Sequence, residues 1–300
     1  MASSIGQGFT NPASYTILGR LYPPEKRATV NGLYASSVYF GGGLAALSVL
    51  IDQEIGWRGL YLLVGAASLA ATGVVQAALP PMPSQAVEVE RESLLSAADG
   101  DSAGRKEAAA TGKTAGETAG ETAGEKAGGL SESLDDLRSL VAEPVVALLL
   151  LASTFRFLGG FTLGVWIVPF YREAFPGSIG AEFALIKAAV NGVGGSLSAS
   201  GGGILADRLA ARDERFQLWV PAAGSLLAIP CWLATLNAPT LELSLAALFA
   251  EYLLAECWFG PTIAGLQAAA PPKTQGLTTG VFSCLTFVGN LGGCPASRPA

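Results

Sequence analysis

The chain has 300 residues, of which half are hydrophobic and only 14% are charged, and its mean hydropathy is +0.44. A water-soluble domain of this size usually carries about a quarter charged residues, so the composition indicates a membrane protein. The chain contains no histidine and has a formal net charge of −6, which argues against histidine-dependent catalysis, most zinc sites and nucleic-acid binding.

Eight hydrophobic segments follow one another along the chain, each close to the roughly 20 residues that a helix needs to cross a bilayer. They lack the alternation of a barrel strand and are rich in small residues that let helices pack closely in lipid. We therefore predict an all-α integral membrane bundle of about eight spans; a hydrophobic soluble bundle is the alternative. The segments are a first span before Arg20, then Ala28 to Ile51, Gly59 to Val87, Pro144 to Tyr171, Phe183 to Ala206, Phe216 to Leu241, Leu243 to Ala270 and Thr274 to Ser297.

A polar stretch at residues 84–133 interrupts the hydrophobic chain. It contains the sequence Thr-Ala-Gly-Glu three times in tandem between Thr114 and Glu125, and it is too poor in apolar residues to fold. We predict an N-terminal half at 1–83 with about three spans, a disordered linker at 84–133, and a C-terminal half at 134–300 with about five. The stretch from Leu134 to Val141 predicts a short amphipathic helix at the membrane surface.

Basic residues collect in every second loop between the predicted spans. Short cytoplasmic loops carry the excess of Lys and Arg in membrane proteins, so these loops and the linker are predicted to be cytoplasmic. Met1 is accordingly expected outside or within the membrane. The basic residues of these loops are Arg20, Lys26 and Arg27, then Arg208, Arg212 and Arg215, and finally Lys273.

One segment of the chain is repeated. The twelve residues from Pro23 to Tyr34 align without a gap with those from Pro271 to Phe282, sharing two prolines and a glycine, and Gly41 then falls on Gly289. Both copies lie in a predicted cytoplasmic loop that leads into a span. The repeat indicates two halves of parallel topology, related by an axis along the membrane normal; a chance match is the alternative.

The residues Gly202-Gly203-Ile-Leu-Ala-Asp207-Arg208 resemble the glycine, aspartate and arginine motif of the major facilitator superfamily, although Leu209-Ala210 replaces its usual Gly-Arg. That superfamily carries the motif after its second and eighth helices. Other segments are similar to the Spinster-like branch of lipid and lysolipid transporters. They are Ser4 to Gln7, Leu21 to Arg27, Gly56 to Arg58, Trp166 with Pro169, and Gly260 to Gln267 followed by Pro271-Pro272.

This resemblance implies a secondary transporter that works by alternating access on a small molecule or a lysolipid-like substrate, without enzymatic chemistry or a cofactor. It implies a multi-pass protein of the plasma membrane or an endolysosomal membrane. The first segment would correspond to the fourth helix of twelve, so that the chain holds the fourth to the eleventh. The alternative is an eight-span protein that acts as a scaffold or regulator and transports nothing.

Four charged residues fall inside predicted spans: Arg156, Lys187, Glu251 and Glu256. A charge in hydrocarbon costs several kcal/mol unless it is paired or hydrated, so such residues mark transport pathways. We expect Arg156 to pair with Glu251 or Glu256. On a continuous helix the two glutamates are about 140° apart and cannot both face a cavity squarely. Alternatively, Lys187 and Glu251 extend to a membrane surface from near a helix end.

The first span carries Gln7, Asn11 and Tyr15 on one helical face. The Spinster-like pattern commonly has a glutamate in place of Gln7, and an amide cannot carry a proton, so proton coupling at this position is doubtful. Alternatively, these residues hydrogen-bond to neighbouring helices. The predicted substrate pathway is Gln7, Asn11, Tyr15, Arg156, Glu251 and Glu256.

The resemblance also implies that Asp207 and Arg208 form a gating loop, which clamps the cytoplasmic side until the transporter opens. The alternative is an ordinary basic loop. No metal site is predicted, because the four cysteines lack the spacing of metal ligands: they are Cys231, Cys257, Cys284 and Cys294.

Overall fold

A computed structural model describes residues 2–78, 135–177, 180–271 and 274–292. Within these ranges the regular structure is helical throughout and contains no strand, which confirms the predicted all-α fold. The predicted linker at 84–133 lies outside the described residues.

Two long helices come first. Helix α1 spans Ala2–Leu21, a 3₁₀ turn follows at Pro24–Lys26, and α2 spans Arg27–Ala78. Helix α2 covers two predicted spans but is interrupted at Gly56, whose φ of 69° and ψ of 162° are not helical. Only glycine adopts such a positive φ without a steric penalty, so Gly56 marks the boundary between the two spans.

The remaining helices follow the predicted segments closely. Two of these segments are interrupted, one by a π-helical turn and one by a 3₁₀ turn. Four stretches among the described residues are long and apolar enough to cross a membrane: Glu54–Ala78, Pro144–Ala174, Phe216–Asn237 and Leu241–Ala269. The other predicted spans form shorter helices or helices richer in polar and small residues. In order, the elements are α3 at 135–142, α4 at Pro144–Ala174, α5 at Ala181–Ala189, a π-helical turn at Val190–Gly195, α6 at Ser196–Ala210, α7 at Phe216–Asn237, α8 at Leu241–Ala255, a 3₁₀ turn at Glu256–Trp258, α9 at Phe259–Ala269 and α10 at Gln275–Gly292.

The short helix predicted after the linker is present as α3. Leu140 is buried in a hydrophobic cluster with Val146 and Leu150, while Val141 is exposed. One apolar face of α3 therefore anchors it to the start of α4.

The chain forms two compact units, one comprising Met1–Glu54 with Ser133–Ala300 and the other Ile55–Glu132. In the second unit the Arg58 guanidinium lies 4.4 Å from the centroid of the Trp57 ring. Trp57 in turn meets Tyr61 edge-on, with 6.4 Å between ring centroids. The Gly56-Trp57-Arg58 motif thus forms a local cation–π stack. The sites discussed below all lie in the first unit.

An aromatic core holds the first unit together. Phe157 on α4 lies 5.2 Å from Trp258 and 5.4 Å from Phe282 on α10, measured between ring centroids. Phe259 packs edge-on against Phe282 at 5.5 Å. Each such pair contributes about 0.5–1.5 kcal/mol beyond its buried area, so this core ties α4, α9 and α10 to one another.

Glycines let α2 approach its neighbours closely. A Cβ on Gly260 of α9 would lie 2.5 Å from the carbonyl oxygen of Ala28 and 2.7 Å from the backbone nitrogen of Gly32. A Cβ on Gly43 would lie 2.8 Å from the carbonyl oxygen of Ala188 on α5. The small residues noted in the sequence therefore sit where helix backbones touch, as in other membrane bundles.

Candidate functional site

Arg156 and Glu256, two of the four charged residues predicted inside spans, form an ion pair. Arg156 on α4 places Nη2 3.2 Å from Oε1 of Glu256 and donates from Nη2 to the carbonyl of Ala255 at 3.0 Å. The other oxygen, Oε2, accepts hydrogen bonds from the Tyr39 hydroxyl at 2.5 Å and from the Trp258 indole at 3.2 Å. We call Arg156, Glu256, Tyr39 and Trp258 the central cluster. The expected pairing of Arg156 is confirmed, and its partner is Glu256.

The turn between α8 and α9 gives Glu256 its place. A 3₁₀ turn begins at Glu256, whose φ of −85° and ψ of 6° depart from the α-helical region. The angle of about 140° expected between Glu251 and Glu256 assumed a continuous α-helix, and this turn interrupts that helix. Glu256 therefore faces Arg156 while Glu251 stays on α8.

Three elements bring the central cluster to a similar depth. Arg156 lies twelve residues from the start of α4 at Pro144, and Tyr39 lies twelve from the start of α2 at Arg27. Glu256 lies thirteen residues before the end of α9 at Ala269. At 1.5 Å per residue these are distances of roughly 18–20 Å along each helix. The three residues therefore lie at similar distances along their helices.

Glu251 and Lys187 are buried beside the central cluster, with exposed fractions of 2% and 9%. The Lys187 ammonium donates to the Asn191 side-chain oxygen at 3.3 Å and lies 5.7 Å from the centroid of the Tyr252 ring. The indole of Trp232 on α7 faces the Glu251 carboxylate. The alternative in which both charges extend to a membrane surface is therefore wrong, because neighbouring helices enclose them.

The π-helical turn shapes this region. It carries Asn191, which receives the Lys187 hydrogen bond. It also carries Gly195, where a Cβ would lie 2.5 Å from the Tyr39 ring. The missing side chain makes room for Tyr39 to reach Glu256. Single π-helical turns inside α-helices are frequent at functional sites.

Asp207 connects α6 to α2. Its two carboxylate oxygens accept hydrogen bonds from the backbone N–H groups of Ala28 at 3.2 Å and Thr29 at 2.7 Å. These are first-turn donors of α2, where a carboxylate also interacts favourably with the helix dipole. The predicted gating loop is in fact the last turn of α6. The neighbouring Arg208 is exposed there.

A second contact lies at the same end of the helices. The Asn31 amide donates to Oε1 of Gln267 at 3.0 Å, and Nε2 of Gln267 donates to the carbonyl of Tyr15 at 2.8 Å. Gln275 donates from Nε2 to the Gln267 carbonyl at 3.0 Å. Asn31 and Gln267 are buried, with exposed fractions of 1% and 3%. We call Asn31, Gln267 and Gln275 the amide cluster; it joins α1 and α2 to α9 and α10.

The sequence repeat is visible in these contacts. Its two copies begin α2 and α10, and the alignment places Asn31 opposite Thr279. Asn31 contacts α9, the helix before the second copy. The Thr279 hydroxyl lies 3.3 Å from that of Thr16 on α1, the helix before the first copy. Each copy therefore packs against the helix that precedes the other.

The predicted residues of the first span have a different environment from the central cluster. Asn11 accepts a hydrogen bond from the Tyr34 hydroxyl at 3.3 Å. Tyr15 is buried, and its ring meets Tyr34 edge-on with 4.9 Å between centroids. Gln7 belongs to α1, and its side chain lies outside the described part of the chain. The described contacts of Asn11 and Tyr15 are thus with α2, with the aromatic core and, through the Tyr15 carbonyl, with Gln267 of the amide cluster.

The sequence reasoning missed several residues of these sites. Tyr39, Asn191, Trp232 and Trp258 are uncharged, and nothing in their spacing separates them from packing residues. The role of Asn31 could have been predicted, since it is an amide inside a repeated segment that leads into a span.

Comparison with known proteins shows the family of the chain. Residues 1–294 match the protein family described as Major Facilitator Superfamily. The chain belongs to the Major Facilitator Superfamily. An MFS-type efflux pump from Mycolicibacterium smegmatis is 25% identical over 289 residues, which is 93% of this chain and 56% of the relative. The chain thus spans little more than half of that relative's length. No solved structure matches the chain.

Membership of the Major Facilitator Superfamily confirms the coarse prediction of a multi-pass membrane protein of a transporter family. Members of this superfamily are transporters and not enzymes. The Spinster-like branch, the lysolipid substrate and the membrane of residence stay predictions.

Proposed function

We propose that the protein is a secondary transporter that moves a small or lysolipid-like molecule by alternating access. The observation that carries this proposal is the central cluster, in which Glu256 joins α2 to α4. We place the cluster near the middle of the bilayer, because it lies roughly 18–20 Å along each helix and a bilayer core is about 30 Å thick. Transporter sites lie near the bilayer midplane, between the repeated halves. Ionisable groups at that depth are costly and serve transport pathways.

Glu251, which is buried, and Glu256, which is partly buried, have different surroundings. Glu256 receives three donors, from Arg156, Tyr39 and Trp258. No cation of the described residues lies within 4.0 Å of the Glu251 carboxylate. Glu256 is therefore the anchoring carboxylate between helices, and Glu251 is the one available to a cationic group of the substrate or to a coupling cation.

The Asp207 contact and the amide cluster form the proposed gate at the end where the basic loops lie. Opening that end requires α2 to separate from α6 and α9. A hydrogen bond to a charged group contributes about 1.5–3 kcal/mol and a neutral one about 1 kcal/mol. The gate is therefore worth several kcal/mol at most, a range that differential binding of a substrate can overcome.

The finer features of the substrate rest on resemblance. The segments similar to the Spinster-like branch favour a lysolipid-like substrate and a plasma or endolysosomal membrane. The name of the mycobacterial relative, an efflux pump, favours export. An amphiphilic substrate is compatible with both the lysolipid resemblance and export.

Reconstitution into proteoliposomes tests the proposal. Uptake of a fluorescent lysophosphatidylcholine and of small cationic and anionic dyes is compared between the wild type and Arg156→Ala. We expect saturable uptake of at least one probe, lost in Arg156→Ala and partly regained in the charge swap Arg156→Glu with Glu256→Arg. Arg172→Ala, at the exposed end of the same helix, is the control that leaves uptake unchanged. A folded protein that moves none of these probes contradicts the proposal and favours a scaffold or regulator.

A further inference from the structure

A groove of about 510 Å³ runs between α6 and α7 and is closed by the end of α8. On α6 it extends from Leu197 to Leu209, and on α7 from Phe216 to Leu227. Apart from the Ser198 hydroxyl, the Cys257 thiol and the Trp219 indole, the lining side chains are hydrocarbon. The groove is separate from the central cluster and is not used by the proposed mechanism.

The length of the groove matches one leaflet of a bilayer. Leu197 and Leu209 are twelve residues apart on α6, which corresponds to roughly 18 Å. Phe216 and Leu227 are eleven apart on α7, or roughly 17 Å. Half of a hydrocarbon core of about 30 Å is about 15 Å. A single acyl chain lying along the helices therefore fills the groove from end to end.

The rim of the groove faces outward. Leu205, Trp219 and Leu227 have exposed fractions of 50%, 64% and 56%. A Cβ on Gly201, inside the groove, would have no heavy atom within 4 Å. In a bilayer such an apolar surface contacts lipid chains, because water is excluded from that depth.

The loop at one end of the groove carries arginines. The loop from α6 to α7 joins its Leu209 and Phe216 ends, and it carries Arg212 and Arg215, both exposed. Arg208 precedes this loop, and Asp213 and Glu214 lie within it, so residues 208–215 carry a net charge of +1. The Asp213 carboxylate accepts the backbone N–H of Arg215 at 2.9 Å, which occupies one of its oxygens. Guanidinium groups bind phosphate oxygens in a bidentate manner.

We propose that this groove binds one acyl chain of an anionic phospholipid, with the headgroup phosphate at Arg212 and Arg215. The lipid comes from the leaflet on the side of this loop. Basic pockets between membrane helices at that surface are the usual sites for anionic headgroups. The inner wall consists of Gly202, Gly224 and Cys257, which adjoins Glu256. Lipid in the groove thus stabilises the packing of α6 and α7 behind the central cluster, whether or not the protein transports anything.

Photocrosslinking tests this site without a transport assay. The protein is reconstituted with phosphatidylglycerol or phosphatidylcholine that carries a diazirine on one acyl chain, irradiated, and mapped by mass spectrometry. We expect adducts concentrated on the groove residues and more abundant with phosphatidylglycerol. Gly201→Leu places a side chain in the groove, starting from a Cβ that meets no heavy atom within 4 Å, and removes these adducts. The matched control is Gly160→Leu, at an exposed position of α4 where a Cβ also has no heavy atom within 4 Å. This variant leaves the groove adducts unchanged.

The arginines are tested with Arg212→Gln and Arg215→Gln. Each arginine near an anionic surface contributes about 1 kcal/mol, so each change lowers the preference for phosphatidylglycerol about fivefold. Adducts spread evenly over the exposed helices, or adducts that persist in Gly201→Leu, overturn the proposal. Equal adduct yields with the two lipids overturn the headgroup assignment. Groove residues that form no adducts with either lipid overturn the choice of lipid as the occupant.

Discussion

The Tyr39 hydroxyl donates a 2.5 Å hydrogen bond to the Glu256 carboxylate, which also pairs with Arg156. The contact joins the first half of α2 to the turn between α8 and α9. Gly195 makes it possible, since any side chain there would collide with the Tyr39 ring. One carboxylate therefore fixes the relation of three helices in the middle of the bundle.

Removal of the Tyr39 hydroxyl weakens this junction. Tyr39→Phe leaves the ring in place and deletes a hydrogen bond to a charged group, which contributes about 1.5–3 kcal/mol. We expect a lower midpoint of thermal unfolding in detergent. Tyr61→Phe, whose side chain is exposed on the second unit, is the control and keeps the wild-type midpoint. An unchanged midpoint in Tyr39→Phe would show that the contact contributes no stability.

Replacement of Gly43 by alanine forces α2 away from α5. Its Cβ would lie 2.8 Å from the Ala188 carbonyl oxygen and 2.9 Å from the Cα of Gly192, and backbone atoms cannot yield as a flexible side chain does. We expect a loss of about 1–3 kcal/mol, the usual cost of overpacking, measured as the free energy of unfolding in detergent.

Gly41→Ala is the matched control for Gly43→Ala. Position 41 lies on the same helix, and a Cβ there meets nothing within 4 Å. Alanine is a better helix former than glycine by about 0.8–1.0 kcal/mol, so this variant is expected to be as stable as the wild type or more so. If both variants lose stability equally, the close approach of α2 and α5 is not the cause.

Asp207→Ala tests the gate. The change removes both acceptors of the Ala28 and Thr29 N–H groups, and loss of such a cap costs about 0.5–2 kcal/mol. We expect the equilibrium to move towards the form open at this end. The measurement is the rate at which a water-soluble maleimide modifies Thr16→Cys, above the background of the native cysteines. If the full contribution of this contact, about 0.5–2 kcal/mol, shifts the equilibrium between the closed and the open form, the modification rate increases about two- to thirtyfold.

Asp213→Ala and Arg208→Ala are the controls for the gate. Asp213 lies in the exposed loop after α6, and Arg208 is exposed next to Asp207. Neither change alters the maleimide rate if the Asp207 contact holds the end closed. An increase in Arg208→Ala as large as that in Asp207→Ala would support the original view of a two-residue gate.

Glu251→Gln separates the roles of Glu251 and Glu256. The amide has nearly the same shape, and no ion pair of Glu251 within 4.0 Å is found among the described residues, so removal of its charge breaks no ion pair and costs little stability. We expect a normal unfolding midpoint but at least tenfold weaker uptake of a cationic probe in proteoliposomes. Glu242→Gln, in the exposed first turn of the same helix, keeps wild-type uptake. A Glu251→Gln variant that transports normally would exclude Glu251 from the pathway.

The order of the helices and the membrane character of the chain were accessible from sequence. The length of an apolar segment is a local property, and the bilayer sets the length required. The repeat at Pro23 and Pro271 was equally local, and it marked the starts of α2 and α10. The sequence also limited the partner of Arg156 to Glu251 or Glu256, because a charge buried in the membrane costs several kcal/mol unless it is paired.

Only the tertiary structure decided which groups meet. Glu256 and not Glu251 pairs with Arg156, because a 3₁₀ turn that begins at Glu256 interrupts the helix. Helical spacing in the sequence does not predict such a turn. Tyr39, Gln267 and the N-terminus of α2 became partners of distant residues because glycines let particular helices approach closely. Those contacts join residues up to 252 positions apart, so they depend on how the helices cross and not on any local pattern.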